Sequence, residues 1–93
     1  METMTQVVSA AANGTTAAWE NPDVGYVCVT GEFDGATVTL QASVDGGTTW
    51  ADVGDAGEFI AAGWCLLNLP TRVAVHAVIA GGGGSEAIDI YAN

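Results

Sequence analysis

Between Ala36 and Trp50 the chain reads ATVTLQASVDGGTTW, and this segment constrains the fold more than any other. From Thr37 to Val44 the residues alternate. Val38, Leu40, Ala42 and Val44 fall on one face, and Thr37, Thr39, Gln41 and Ser43 on the other. A period of two is that of a half-buried strand. Asp45, Gly46 and Gly47 then break the run. Asp before Gly is a strong hairpin signal, because Gly accepts the positive φ that a turn matching strand twist requires, and the Asp carboxylate can accept bonds from nearby amides. Trp50 restarts the apolar pattern, so the segment predicts a strand, a tight turn and a second strand.

Ser43 to Trp50 reads SxDGGxTW. It resembles the Asp box, a motif found on hairpins of sialidase-type propellers and in several other β folds. The resemblance implies a folding device: Ser43, Asp45, Gly46 and Gly47 tie down the turn, and Trp50 packs into the core. It implies no sialidase activity. A propeller needs about four or more blades of regular repeats, whereas this chain has one copy of the motif in 93 residues.

Further candidate strands recur at short spacing with turn residues between them. They run over Thr5–Ala12, Val24–Phe33, Thr37–Val44, Thr49–Val53, Glu58–Ala61, Trp64–Leu69, Arg72–Ala80 and Glu86–Tyr91. Helices have little to build from, since the chain has 13 Gly and few long polar helix formers. The expectation is an all-β fold, a single two-layer β-sandwich or jelly roll of seven or eight short antiparallel strands spanning residues 1–93, with residues 1–5 as an N-terminal arm. Gly81–Ser85 reads as a floppy hairpin loop between the last two strands.

Charge narrows the functions. Eleven acidic residues stand against one basic residue, Arg72, for a formal net charge of −10. Phosphate backbones and anionic membranes call for clustered Lys and Arg, so neither nucleic acid nor membrane is an expected partner. METMTQVV lacks the basic start and apolar run of a secretion signal, and the expectation is synthesis in a cytoplasm. Cys28 and Cys65 lie in apolar strand-like runs and read as buried reduced thiols, with a disulfide between them as the alternative. Asn13-Gly14-Thr15 matches a glycosylation acceptor, a chance match without secretion.

Chemistry is sparse. His76 is the only His and reads as a satisfied structural residue. The spacing of Cys28, Cys65 and His76 supports no thiol site. Asp52, Asp55 and Glu58 in DVGDAGE offer oxygen ligands of the kind Ca²⁺ takes, without EF-hand spacing, and read as a solvated turn. No catalytic residues, metal site or cofactor are expected. Val73, Val75, Ala77 and Ile79 can face the core while Ala74 and Val78 face away, and Val7 and Val8 make the first strand similarly two-sided. Such strands are covered by loops or by another chain, which makes Val7, Val8, Ala74 and Val78 the candidate interface of a homo-oligomer.

The segment GEFDGATVTLQASVDGGTTWADVG, Gly31 to Gly54, resembles stretches of small bacteriophage virion proteins, and the rest of the chain resembles them in pattern. The resemblance implies a non-enzymatic head decoration, or cement, protein. Such a protein is made in the host cytoplasm, sits on the capsid exterior, often as a trimer, and binds the major capsid protein. A tail- or fibre-associated glycan-binding module is the alternative. For that role Trp19, beside Glu20, Asn21 and Pro22, is the expected exposed aromatic, with Trp50 in the hairpin core and Trp64 in an apolar run.

Overall fold

In the computed structural model, which describes residues 3–22, 24–69 and 72–93, ten antiparallel strands form two packed sheets. The first sheet has the order β1-β10-β4-β8, with β1 Thr5–Ala11, β4 Val24–Glu32, β8 Gly63–Asn68 and β10 Ala87–Ala92. The second is built on β5 (Thr37–Ser43) and β9 (Val73–Ala80). The short strands β2 (Gly14–Thr15) and β3 (Trp19–Asn21) share the outer side of β9, and β6 (Trp50–Asp52) and β7 (Glu58–Phe59) share that of β5. The all-β sandwich is as expected. All eight expected strands are present, and β2 and β3 join them. Two or three residues are too few for a periodicity to register.

Alternation decides which residues become core. Val27 and Val29 of β4, Val38 and Leu40 of β5, Val75, Ala77 and Ile79 of β9, and Ile88 and Ile90 of β10 all lie between the sheets, each 2 % exposed or less. Fully burying a Val, Leu or Ile side chain contributes about 1.5–3 kcal/mol. Together with Phe59, Leu67 and Val8 they form one continuous cluster.

The first strand departs from simple alternation. Its pairing with β10 shifts register between Gln6 and Val8 and again between Val8 and Ala11. Val8 joins the core and Val7 packs against it. A bulge turns consecutive residues towards one side, so Val7 and Val8 both lie against the core and do not offer the two-sided interface expected of the first strand. In β9 the expected division holds, with Ala74 and Val78 half-buried on the outer face.

Among the described residues, β5 and β6 are the only consecutive strands that pair with each other; every other connection there leads to a strand that its predecessor does not pair with. Gly81–Ser85 is one such connection. It is no hairpin loop, because β9 and β10 belong to different sheets. Nor is it floppy. Asn13 clasps Gly82 through two bonds, donating from Nδ2 to its carbonyl at 3.1 Å and accepting from its N–H at 3.0 Å. Gly83 N–H donates to the Asp34 carbonyl, and Ser85 N–H to the Asp34 carboxylate. Glu86, 8 % exposed, accepts from the N–H groups of Asn13 and Gly84, and these bonds hold its carboxyl below the usual range. One polar knot thus joins three inter-sheet connections.

Gly31 has φ 108°, and a Cβ there would collide with the Ala87 carbonyl oxygen. Gly46 has φ 77° with open space around it. Gly46→Ala should therefore cost roughly the 1–2 kcal/mol of a left-handed backbone and Gly31→Ala distinctly more, measured as the difference between their denaturant midpoints.

Candidate functional site

The hairpin from Ser43 to Trp50 is the first group of residues that the sequence singles out, and a dense set of hydrogen bonds closes its turn. Asp45 accepts from Thr49 N–H at 2.7 Å, Thr48 N–H at 3.2 Å and the Ser43 hydroxyl at 2.9 Å. Ser43, 2 % exposed, in turn accepts from Gly47 N–H at 2.7 Å. Gly46 and Gly47 both take positive φ, 77° and 106°. The bond from the Thr49 amide, helped by the Thr49 and Ser43 hydroxyls, pulls the Asp45 carboxyl down to about 2. The turn half of the Asp-box expectation matches this geometry.

Trp50 does not pack into the core. It pairs with Ser43, whose side of β5 is the outward one, and its indole Nε1 donates to the Gly47 carbonyl at 3.1 Å. Its ring lies flat on His76, with centroids 3.6 Å apart and planes at 17°. His76 Nε2 is 2.8 Å from Gln41 Oε1, and Gln41 Nε2 donates to Asp52 at 2.8 Å. Since Gln41 Oε1 can only accept, His76 carries its proton on Nε2. Trp50, His76, Gln41 and Asp52 therefore form one chain of contacts across β9, β5 and β6, made by the cross-strand pairs Gln41–His76 and Gln41–Asp52. Burial under Trp50 lowers the His76 pKa.

The other candidates stand apart. Asp52, Asp55 and Glu58 are exposed, Asp52 is bound to Gln41, and among the described residues no three ligating side chains gather as a metal would require. Cys65 points into the core, while Cys28 pairs with outward-facing Trp64 and His76 lies on the other sheet. Both thiols are free, and burial raises both pKa values, which lowers their thiolate content.

A cluster of exposed apolar residues lies on the outer face of the four-stranded sheet. Val24, Tyr26, Trp64 and Leu66 are 46–67 % exposed there, with Tyr26 opposite Leu66 and Cys28 between Trp64 and Tyr91. A shallow hollow of about 360 Å³ lies among Thr3, Met4, Cys28, Thr30, Trp64 and Tyr91. Of the expected N-terminal arm, Met1 and Glu2 lie outside the described residues, Thr3 and Met4 border this hollow, and Thr5 opens β1. The tryptophans thus exchange roles. Trp64 is 67 % exposed, whereas Trp19 packs against the core with its indole nitrogen buried.

A second hollow of about 380 Å³ lies beside the hairpin, among Trp19, Glu20, Ser43, Val44 and Arg72. Arg72 and Glu20 pair across it at 2.6 Å, both well exposed. An exposed pair contributes little.

Compared with known proteins, the chain matches no family model, and no curated protein or solved structure is significantly similar to it.

Two pH responses follow. His76 is neutral in the folded state and its folded pKa lies below its ordinary 6.5, so the unfolded chain binds the proton more readily and His76 should begin to cost stability as pH falls through 6.5. As the only His, its ring resonances should titrate below 6.5 by NMR, and Trp50→Ala should return them towards it. Asp45 is the opposite case. Its folded pKa of about 2 lies under the ordinary 3.8, so it stabilises the fold above about 3.8, and that contribution fades as pH falls towards 2. Asp45→Asn should flatten this acid limb in thermal melts and lower stability at neutral pH.

Proposed function

We propose that the chain is a non-enzymatic structural protein of a bacteriophage particle, a head decoration protein that binds assembled capsid subunits and stabilises the shell. The observation that carries this reading is the exposed apolar face formed by Val24, Tyr26, Trp64 and Leu66. Large apolar side chains gathered on an otherwise acidic surface are the mark of a part that acts by contact. The resemblance over Gly31–Gly54 supplies the kind of particle.

The physical mechanism needs no reacting group. A protein that binds only the assembled shell shifts stability towards that state by mass action. The acidic remainder of the surface, at −10 per chain, keeps decorated particles apart. Partners in this reading are the major capsid protein and further copies of the chain, on the capsid exterior.

The glycan-binding alternative gains one observation. Trp64, at 67 % exposure beside the hollow on the same face, offers a ring for stacking on a sugar, which Trp19 does not.

Purified protein should co-sediment with assembled capsids of the phage that encodes it and should raise the temperature at which they open. Failure to co-sediment would overturn the decoration reading. Glycan-array binding that is lost in Trp64→Ala would establish the alternative.

A further inference from the structure

We propose that β8 is a self-pairing edge, through which two copies of this chain join their four-stranded sheets into one continuous sheet about a two-fold axis. The pairing rests on reading the outer face of that sheet as a docking surface, and it names a second copy as the occupant of its β8 side.

A free strand edge presents unpaired N–H and C=O groups, and proteins that stay monomeric blunt their edges with bulges, charges, prolines or short strands. Three of the four edges in this sandwich are blunted. On β1, two register shifts and a positive φ at Ala10 break the line, and the Asp89 carboxylate accepts from the Ala10 amide and the Gln6 side chain. The edge made of β6 and β7 is split into strands of three and two residues that carry exposed Asp52 and Glu58. The edge made of β2 and β3 is equally short and carries exposed Glu20.

Among the described residues β8 has no bulge, charge or proline, and the short turn Asp55–Gly57 is its neighbour outside the sheet. Gly63–Asn68 reads GWCLLN, without charge or proline. It pairs with β4 in unbroken register from Val29–Gly63 to Val24–Asn68. Among the described residues, the only bond to β8 from outside its ladder with β4 is a long one of 3.4 Å from Asn21 Nδ2 to the Leu67 carbonyl. An antiparallel edge is its own complement, since each copy offers the donors and acceptors that the other needs.

Charge limits where a second copy can dock. Two copies, each of net charge −10, repel one another, most strongly where carboxylates face carboxylates. The strip of Val24, Tyr26, Cys28, Trp64, Leu66 and Asn68 holds no charged side chain, and it is where two copies can meet without that cost. Outward residues of both copies stay on one face only in registers that pair outward with outward, such as Leu66 with the partner's Leu66. Trp64 and Leu66 of the two copies, flanked by Tyr26, then close over the seam. The association uses apolar contact and backbone bonds against a repulsive background, so added salt should strengthen it by screening.

Light scattering after gel filtration tests this directly. The wild-type chain should show about twice the 9.3 kDa of one copy, with the dimer fraction rising with salt. Leu66→Lys, which places a charge on the edge, should shift it to the monomer. Ala51→Lys on the opposite sheet, an equal change of charge, should leave the dimer intact. Circular dichroism checks that the variants fold. Hydrogen exchange on the wild type supplies a readout independent of them: amides of Gly63–Asn68 should gain protection from dilute to concentrated solution. A monomer at up to about 1 mM, the weak end of the affinity scale, would overturn the proposal. So would a trimer indifferent to Leu66→Lys, or β8 exchange that ignores concentration. A dimer that fails to bind capsids sinks the decoration reading alone, and capsid binding by a strict monomer sinks the edge pairing alone.

Discussion

Closure of the Ser43–Trp50 turn by the Asp45 carboxylate is the one step of strand pairing that local sequence can direct. Every other ladder joins strands that are not neighbours along the chain, so each must pay loop-closure entropy before its contacts form. The hairpin sets the register of β5 against β6, and β5 is central to its sheet, with β9 along its other side over seven residue pairs. An error of one residue here would carry Val38 and Leu40 from the core to solvent. The bonds from Thr48, Thr49 and Ser43 to one carboxylate prevent that slip.

A second polar centre does for the inter-sheet connections what Asp45 does for the hairpin. Asn13, Asp34 and Glu86 draw together segments that lie far apart in sequence, and they satisfy backbone groups of a glycine-rich run that has few side chains to anchor it. Ordered glycines carry a large entropic cost. Directed hydrogen bonds to Asn13, Asp34 and the buried Glu86 carboxylate offset it, which is how a run of four glycines becomes a fixed part of the sandwich.

How much of this was legible in the sequence depends on the kind of pattern involved. Strands with clean alternation, such as Thr37–Ser43, were readable, as was the turn chemistry of Asp45. The facing of Trp64 was not, because GWCLLN is apolar on both faces and period two carries no information when every position is apolar. The turn of both Val7 and Val8 towards the core is not legible either, because a bulge leaves no mark in composition. The placement of Trp50 followed from likeness to another hairpin, and here the ring covers His76 outside the core. The Trp50–His76–Gln41–Asp52 chain depends on the register between strands 35 residues apart, which no single segment contains.

The pairing of Thr5 with Ala92 across β1 and β10 has a topological consequence. The two ends of the described sandwich lie side by side at one edge of a sheet, so a bridge of a few residues would turn the chain into a ring with all its ladders kept. Fresh ends opened among the exposed residues Ile60, Ala61 and Ala62 would cut no strand. The fold is in this sense a closed circuit that happens to be entered at β1, and the same adjacency would let it be set into a loop of a larger protein without stretching its host.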